Sequence, residues 1–190
     1  LSTGRGRWKS LTAAVGYGVP MVGILGEYRL LGGPAFWVLC AAAGYFLVLA
    51  VRLSAVDAAT HRLPNRLVLP AYPVSLLLLG TAALAAGETS RITGMVLAGV
   101  VLWSAYFLLR FSNPSGLGFG DVKLAGVLGL YLGFAGWPYV LAGTFAAFLL
   151  GGLWGVWLIL SRRGTTKTAI AFGPFMLAGA ALALALPGLQ

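Results

Sequence analysis

Apolar stretches recur along this 190-residue chain, and they limit its possible folds more than any other feature. They cover residues 11–26, 34–51, 67–86, 92–109, 122–135, 139–160 and 169–189. A helix needs about 20 residues to cross a bilayer, within a range of roughly 17–25. The stretches beginning at 67, 139 and 169 meet that length easily, those at 34 and 92 meet it, and those at 11 and 122 are short. Apolar residues make up 59% of the chain and charged residues 9%, with a mean hydropathy of +0.92, far from soluble composition. The expected fold is all-α: a polytopic membrane bundle of about seven helices, with six to eight admitted, forming a single domain over residues 1–190.

The net charge of +9 raises nucleic acid as a partner, but the positions of the basic residues argue against it. Arg5, Arg7, Lys9, Arg52, Arg62, Arg66, Arg110, Lys123, Arg162, Arg163 and Lys167 fall in alternate connections on one side. Only Arg29 and Arg91 fall on the other. The basic side is expected to be cytoplasmic, which places the amino terminus inside and suits an anionic inner leaflet of membrane lipids. The acids follow the same division without having been used to make it. Asp57 and Asp121 fall on the basic side, Glu27 and Glu88 on the other.

Cys40 is the single cysteine and lies inside an apolar stretch, so it reads as a small core residue; no intrachain disulfide or cysteine-rich zinc site is expected. His61 is the single histidine, which argues against a histidine-based metal site. The first stretch follows basic residues as a signal peptide would, yet lacks a clear small-residue cleavage pattern and reads as a retained helix. Gly129/Gly133 and Gly151/Gly155 have the spacing that lets helices approach closely, read here as tight packing within one bundle. The tryptophans lie mostly near the ends of stretches, where interfacial anchoring is the default.

The longest polar connections, roughly 52–66, 110–121 and 161–168, share the basic side, so chemistry is expected at that face. The chain has only two aspartates, and each begins a polar break or closes one. Asp57 opens Asp-Ala-Ala-Thr-His-Arg-Leu-Pro-Asn, in which Pro64 biases Leu63 toward an extended conformation before Asn65 and the next stretch. Asp121 ends Gly-Leu-Gly-Phe-Gly-Asp. Each aspartate has a plain structural reading, a helix cap or a solvated loop carboxylate. The glycines at 116, 118 and 120 exceed what a cap needs, and they permit close backbone approach. The stretch after Asp121 is short, which draws that carboxylate toward the bilayer or into the bundle. A carboxylate near lipid usually has a function. Two that meet share a proton and can activate water, as in aspartyl protease chemistry, with no metal or organic cofactor.

These residues resemble the type IV prepilin peptidases. Gly118-Phe119-Gly120-Asp121 with Val122-Lys123 is similar to that family's GxGD motif. Asp57 followed by Leu63-Pro64-Asn65 is similar to its first catalytic segment, and Phe172-Gly173-Pro174-Phe175 to its carboxyl-terminal signature. The motifs stand in the family's order over roughly residues 50–180. The resemblance implies a protease of the bacterial inner membrane that removes the leader from prepilins or pseudopilins on the cytoplasmic side. Asp57 and Asp121 would be catalytic; Gly118, Gly120, Lys123, Pro64, Asn65, Gly173 and Pro174 would shape the loops or bind substrate. The longer members carry a domain with paired CxxC motifs, and many methylate the new pilin terminus. This chain is similar to the short form, so methyltransferase activity is not expected.

Bland readings stand beside these. Lys123 reads as a positive-inside anchor; a second reading has it lowering one carboxylate's pKa or meeting an acidic group on the substrate. Phe172-Gly173-Pro174-Phe175 is either a proline kink with aromatic packing or an opening for a substrate helix. A proton-coupled transporter using the same acidic pair is the alternative function. A structural assembly subunit without chemistry is a third. The sequence leaves oligomeric state open.

Overall fold

The computed structural model describes residues 21–31, 33–112, 117–163 and 171–186. Most of the stretch expected at 11–26 lies outside these residues, as do Arg5, Arg7, Lys9, Gly116 and Lys167. The described residues form seven helices and no strand: α1 (Met21–Leu31), α2 (Pro34–Thr60), α3 (Asn65–Ala86), α4 (Thr89–Ser112), α5 (Phe119–Ala135), α6 (Trp137–Leu160) and α7 (Gly173–Ala185). Four of them, α2, α3, α4 and α6, are long and apolar enough to cross a membrane. The protein is an all-α, multi-pass membrane bundle.

Local sequence explains the boundaries. Gly33, at φ 82°, turns the chain into α2, whose first residue is Pro34; a proline there loses no helical hydrogen bond. His61, at φ 52°, ends α2 and donates its N–H to the Asp57 carbonyl. Pro64 is extended (φ −71°, ψ 129°) and caps α3. Gly87, at φ 76°, ends α3. Pro70 and Pro73 lie inside α3, where membrane helices tolerate them because neighbouring groups satisfy the freed carbonyls.

Three expectations need correction. Asp57 does not open a polar break, because α2 continues through Arg52 and Asp57 to Thr60. The stretch expected to end at 26 continues as helix, since α1 runs to Leu31. The stretch at 169–189 yields a described helix of only 13 residues. Gly173 and Pro174 start it late, and Leu186, held extended before Pro187, stops it.

The core is built around α5. Every residue from Leu124 to Ala135 is buried, so this helix is apolar on all sides because protein surrounds it. It is 17 residues long, bounded by Gly118 at its start and by Gly136, at φ 133°, at its end. Its closest neighbour is α4: a Cβ on Gly129 would lie 2.6 Å from the Ala98 carbonyl oxygen, so only glycine permits this approach. Gly151 of α6 similarly leaves room for the Phe172 ring, 2.9 Å from where its Cβ would stand. The outer faces of α2, α4 and α6 present Leu47, Val51, Val100, Phe145, Leu149 and Leu153, as lipid contact requires. Trp37 and Trp137 are exposed at the starts of α2 and α6, and Trp154 and Trp157 near the end of α6.

The two ends of the bundle differ. At one end Tyr28 Oη donates to Glu88 Oε2 at 2.9 Å, and Arg91 Nε donates to the same oxygen. Arg91 also donates to the Phe134 carbonyl at 3.1 Å and lies 3.9 Å from Glu27 Oε2. The other end holds Asp57 and Asp121. The division of acids expected from sequence therefore holds in space.

Candidate active site

Asp57 lies in the last turn of α2 and is 4% exposed. Its Oδ2 accepts a hydrogen bond from the backbone N–H of Gly173, at 3.0 Å. Gly173 is the first residue of α7, where backbone N–H groups lack intrahelical acceptors and the helix dipole favours negative charge. A Cβ at position 173 would stand 2.6 Å from Oδ2, so glycine is required for this approach.

Asp121 is not the N-cap of α5, as the sequence implied; it is the third residue after the cap, Gly118. The helix begins earlier, at Phe119, because the glycine-rich turn closes on itself. Asp121 N–H donates to the Gly118 carbonyl at 3.2 Å, and Gly118 N–H donates to Asp121 Oδ2 at 3.1 Å. The aspartate thus caps its own helix while remaining 8% exposed. Each carboxylate is therefore held through one oxygen by one glycine amide.

Leu63 joins the two halves. A Cβ on Gly120 would stand 2.7 Å from Leu63 Cβ, and one on Gly173 3.5 Å from Leu63 Cδ1. The segment between α2 and α3 thus packs against both glycine turns. The two carboxylates are close enough for the Asp57 charge to act on Asp121.

Lys123 is turned away from the acids. Its Nζ donates to Asn65 Oδ1 at 2.8 Å and lies 5.5 Å from the Phe119 ring centre. Its carbonyl accepts from Tyr72 Oη at 2.6 Å. Among the described residues it pairs with neither aspartate, so the reading of Lys123 as a partner of the acids is not what the geometry provides. Pro174 occupies the first turn of α7 and starts that helix rather than kinking it. Phe172 packs on Phe148 at 5.3 Å and Phe175 on Trp154 at 6.2 Å, so this motif does pack aromatically. Among the described residues no three His, Cys, Asp or Glu side chains gather as a metal site would require.

The sequence reading brought Asp57, Gly118, Gly120, Asp121, Pro64, Asn65, Lys123, Gly173 and Pro174 forward, and all lie at this end of the bundle. It missed Tyr72 and the packing role of Leu63. A lone phenol two turns after Asn65 inside an apolar run was the available signal for Tyr72.

In class, this is a membrane helical bundle with two buried carboxylates at one end, the charge of Asp57 acting on Asp121. A sequence profile of the type IV leader peptidase family matches residues 43–156. The chain is 32% identical over 181 residues to a prepilin leader peptidase/N-methyltransferase of Pseudomonas aeruginosa, covering 90% of this chain and 59% of that protein. It is 34% identical over 188 residues to the protein of that description from Burkholderia pseudomallei strain K96243, covering 95% and 58%. With the one from Stutzerimonas stutzeri it shares 27% identity over 178 residues, covering 90% and 60%. The chain spans about six-tenths of the length of these relatives. No solved structure matches it. The chain belongs to the type IV leader peptidase family.

Proposed function

We propose that the protein is an aspartyl endopeptidase that removes the leader from type IV prepilins or pseudopilins at the cytoplasmic face of the bacterial inner membrane. The observation that carries this reading is the arrangement of Asp57 and Asp121: both buried, each anchored by a glycine amide, and electrostatically coupled, in a chain of this family.

Two such carboxylates hold one proton between them, a property of the pair rather than of either residue. The ionised carboxylate takes a proton from a water molecule. The protonated one donates to the scissile carbonyl oxygen. The hydroxide so formed bonds to the carbonyl carbon and gives a tetrahedral diol. The carboxyl that gained a proton then passes it to the leaving nitrogen as the C–N bond breaks, and the other recovers its own. Gly118 and Gly173 fix the acids, Gly120 and Pro64 let Leu63 pack between the turns, and Asn65, Lys123 and Pro174 shape the rim. Arg62, Arg66 and Lys123 near this rim favour the cytoplasmic side.

Both aspartates lie within a terminal turn of their helices, which favours a rim site over the midplane site expected of a transporter. The test is incubation of the lipid-reconstituted protein with a prepilin, followed by mass analysis of the new amino terminus. The expected result is one cut, abolished by Asp57→Asn or Asp121→Asn. Full activity of either variant refutes the acid pair. The same measurement reports any added methyl group.

A further inference from the structure

We infer that Tyr106 is a positioning residue of the acid pair, its phenol donating a hydrogen bond to the Asp121 carboxylate in the working enzyme. The inference rests on the reading of Asp57 and Asp121 as that pair.

Its geometry comes from the interface of α4 and α5. A Cβ on Gly94 would lie 3.1 Å from the Gly133 carbonyl oxygen, and one on Gly129 2.6 Å from that of Ala98. The helices therefore run antiparallel in a fixed register. Residues four apart share a helix face, so the register can be followed turn by turn. The next rung pairs Leu102 with Ala125, and both line one narrow cavity together with Tyr106. The rung after that sets Tyr106 level with Asp121.

The two are buried together, Tyr106 at 4% exposure, and the charge of Asp121 acts on the phenol. Phe148 holds the tyrosine ring at 5.7 Å, and Phe148 in turn packs on Phe172, the neighbour of Gly173. One ring column thus runs from the level of Asp121 to the turn that holds Asp57.

A buried phenol normally finds an acceptor. An ionised carboxylate has about four acceptor positions, and the Gly118 amide occupies one at Asp121. Hydrogen bonds of this kind often tighten only when substrate is bound. Among the described residues Asp57 acts on Asp121, whereas Lys123 is engaged by Asn65. A donor from α4 would fix the orientation of Asp121 and decide which carboxylate surrenders the shared proton.

Tyr106→Phe keeps the ring and its contact with Phe148 and removes one oxygen. In the full-length protein reconstituted in lipid, kcat for prepilin cleavage should fall about tenfold or more, on the scale of a lost hydrogen bond to a charged group. KM and melting temperature should stay unchanged, and the pH profile of kcat should move. An unchanged kcat and pH profile overturns the inference. So does a fall in activity matched by a fall in melting temperature, the mark of a packing role. Asp57→Asn and Asp121→Asn in the same assay separate the two readings. If they are active, the acid pair itself fails; if they are dead while Tyr106→Phe is normal, only the role of Tyr106 fails.

Discussion

The backbone N–H of Gly173 meets Asp57 Oδ2 at 3.0 Å across 116 residues of sequence. Any side chain at 173 must displace that carboxylate, because its Cβ would stand 2.6 Å from the oxygen. Gly173→Ala is therefore expected to reduce prepilin cleavage about ten- to a hundredfold, on the scale of a hydrogen bond to a charged group. The methyl meets the end of a side chain, the Asp57 carboxylate, rather than backbone, so the melting temperature should change little. Turnover and thermal unfolding of the same preparation check both halves.

Asn65 holds Lys123 from 58 residues away, by a bond exposed to solvent. Such a bond contributes about 0.5–1.5 kcal/mol. Asn65→Leu is expected to slow cleavage a few-fold by freeing the lysine at the rim. Asn65→Asp keeps the acceptor and should retain near-normal rates. Steady-state kinetics of the two variants test this, and equal losses would show that the acceptor is not what matters.

Much of this arrangement was legible in the sequence, for definite reasons. Carboxylates are so costly near lipid that two aspartates in an apolar chain mark themselves. Alternating basic connections gave the grouping of acids at two ends. Other features were not legible. Helix α2 runs past its apolar stretch through Arg52 and Asp57, because nothing forces a helix to stop where lipid does. The burial of α5 was also hidden, since an all-apolar helix reads alike whether it faces lipid or protein. Partners such as Tyr72 and Lys123 are 51 residues apart, and only the packing of α3 on α5 brings them together.

Close contact between α4 and α5 depends on Gly129, whose Cβ would stand 2.6 Å from Ala98 O and from Gly99 Cα. These are backbone atoms and cannot turn aside as a side chain would. Gly129→Ala should therefore destabilise the bundle by about 1–3 kcal/mol, the range for an overpacked core. Gly152→Ala, at a position with nothing within 4 Å, is the control and should be neutral. Thermal unfolding in one detergent compares them.

At the end away from the aspartates, Arg91 binds Glu88, lies 3.9 Å from Glu27, donates to the Phe134 carbonyl and lies 5.6 Å from the Phe134 ring centre. It thereby links α1, the start of α4 and the last turn of α5. Arg91→Met keeps much of the aliphatic stem but leaves two neighbouring carboxylates without their cation. Because Glu27 is partly exposed, solvent screens part of that repulsion, and a loss of about 1–2 kcal/mol is expected. The cleavage chemistry is proposed for the opposite end, so kcat well below the melting temperature should be unchanged. A lower melting temperature with normal kcat is the expected result. A large fall in kcat at unchanged stability would instead mean that the two ends are coupled through α5.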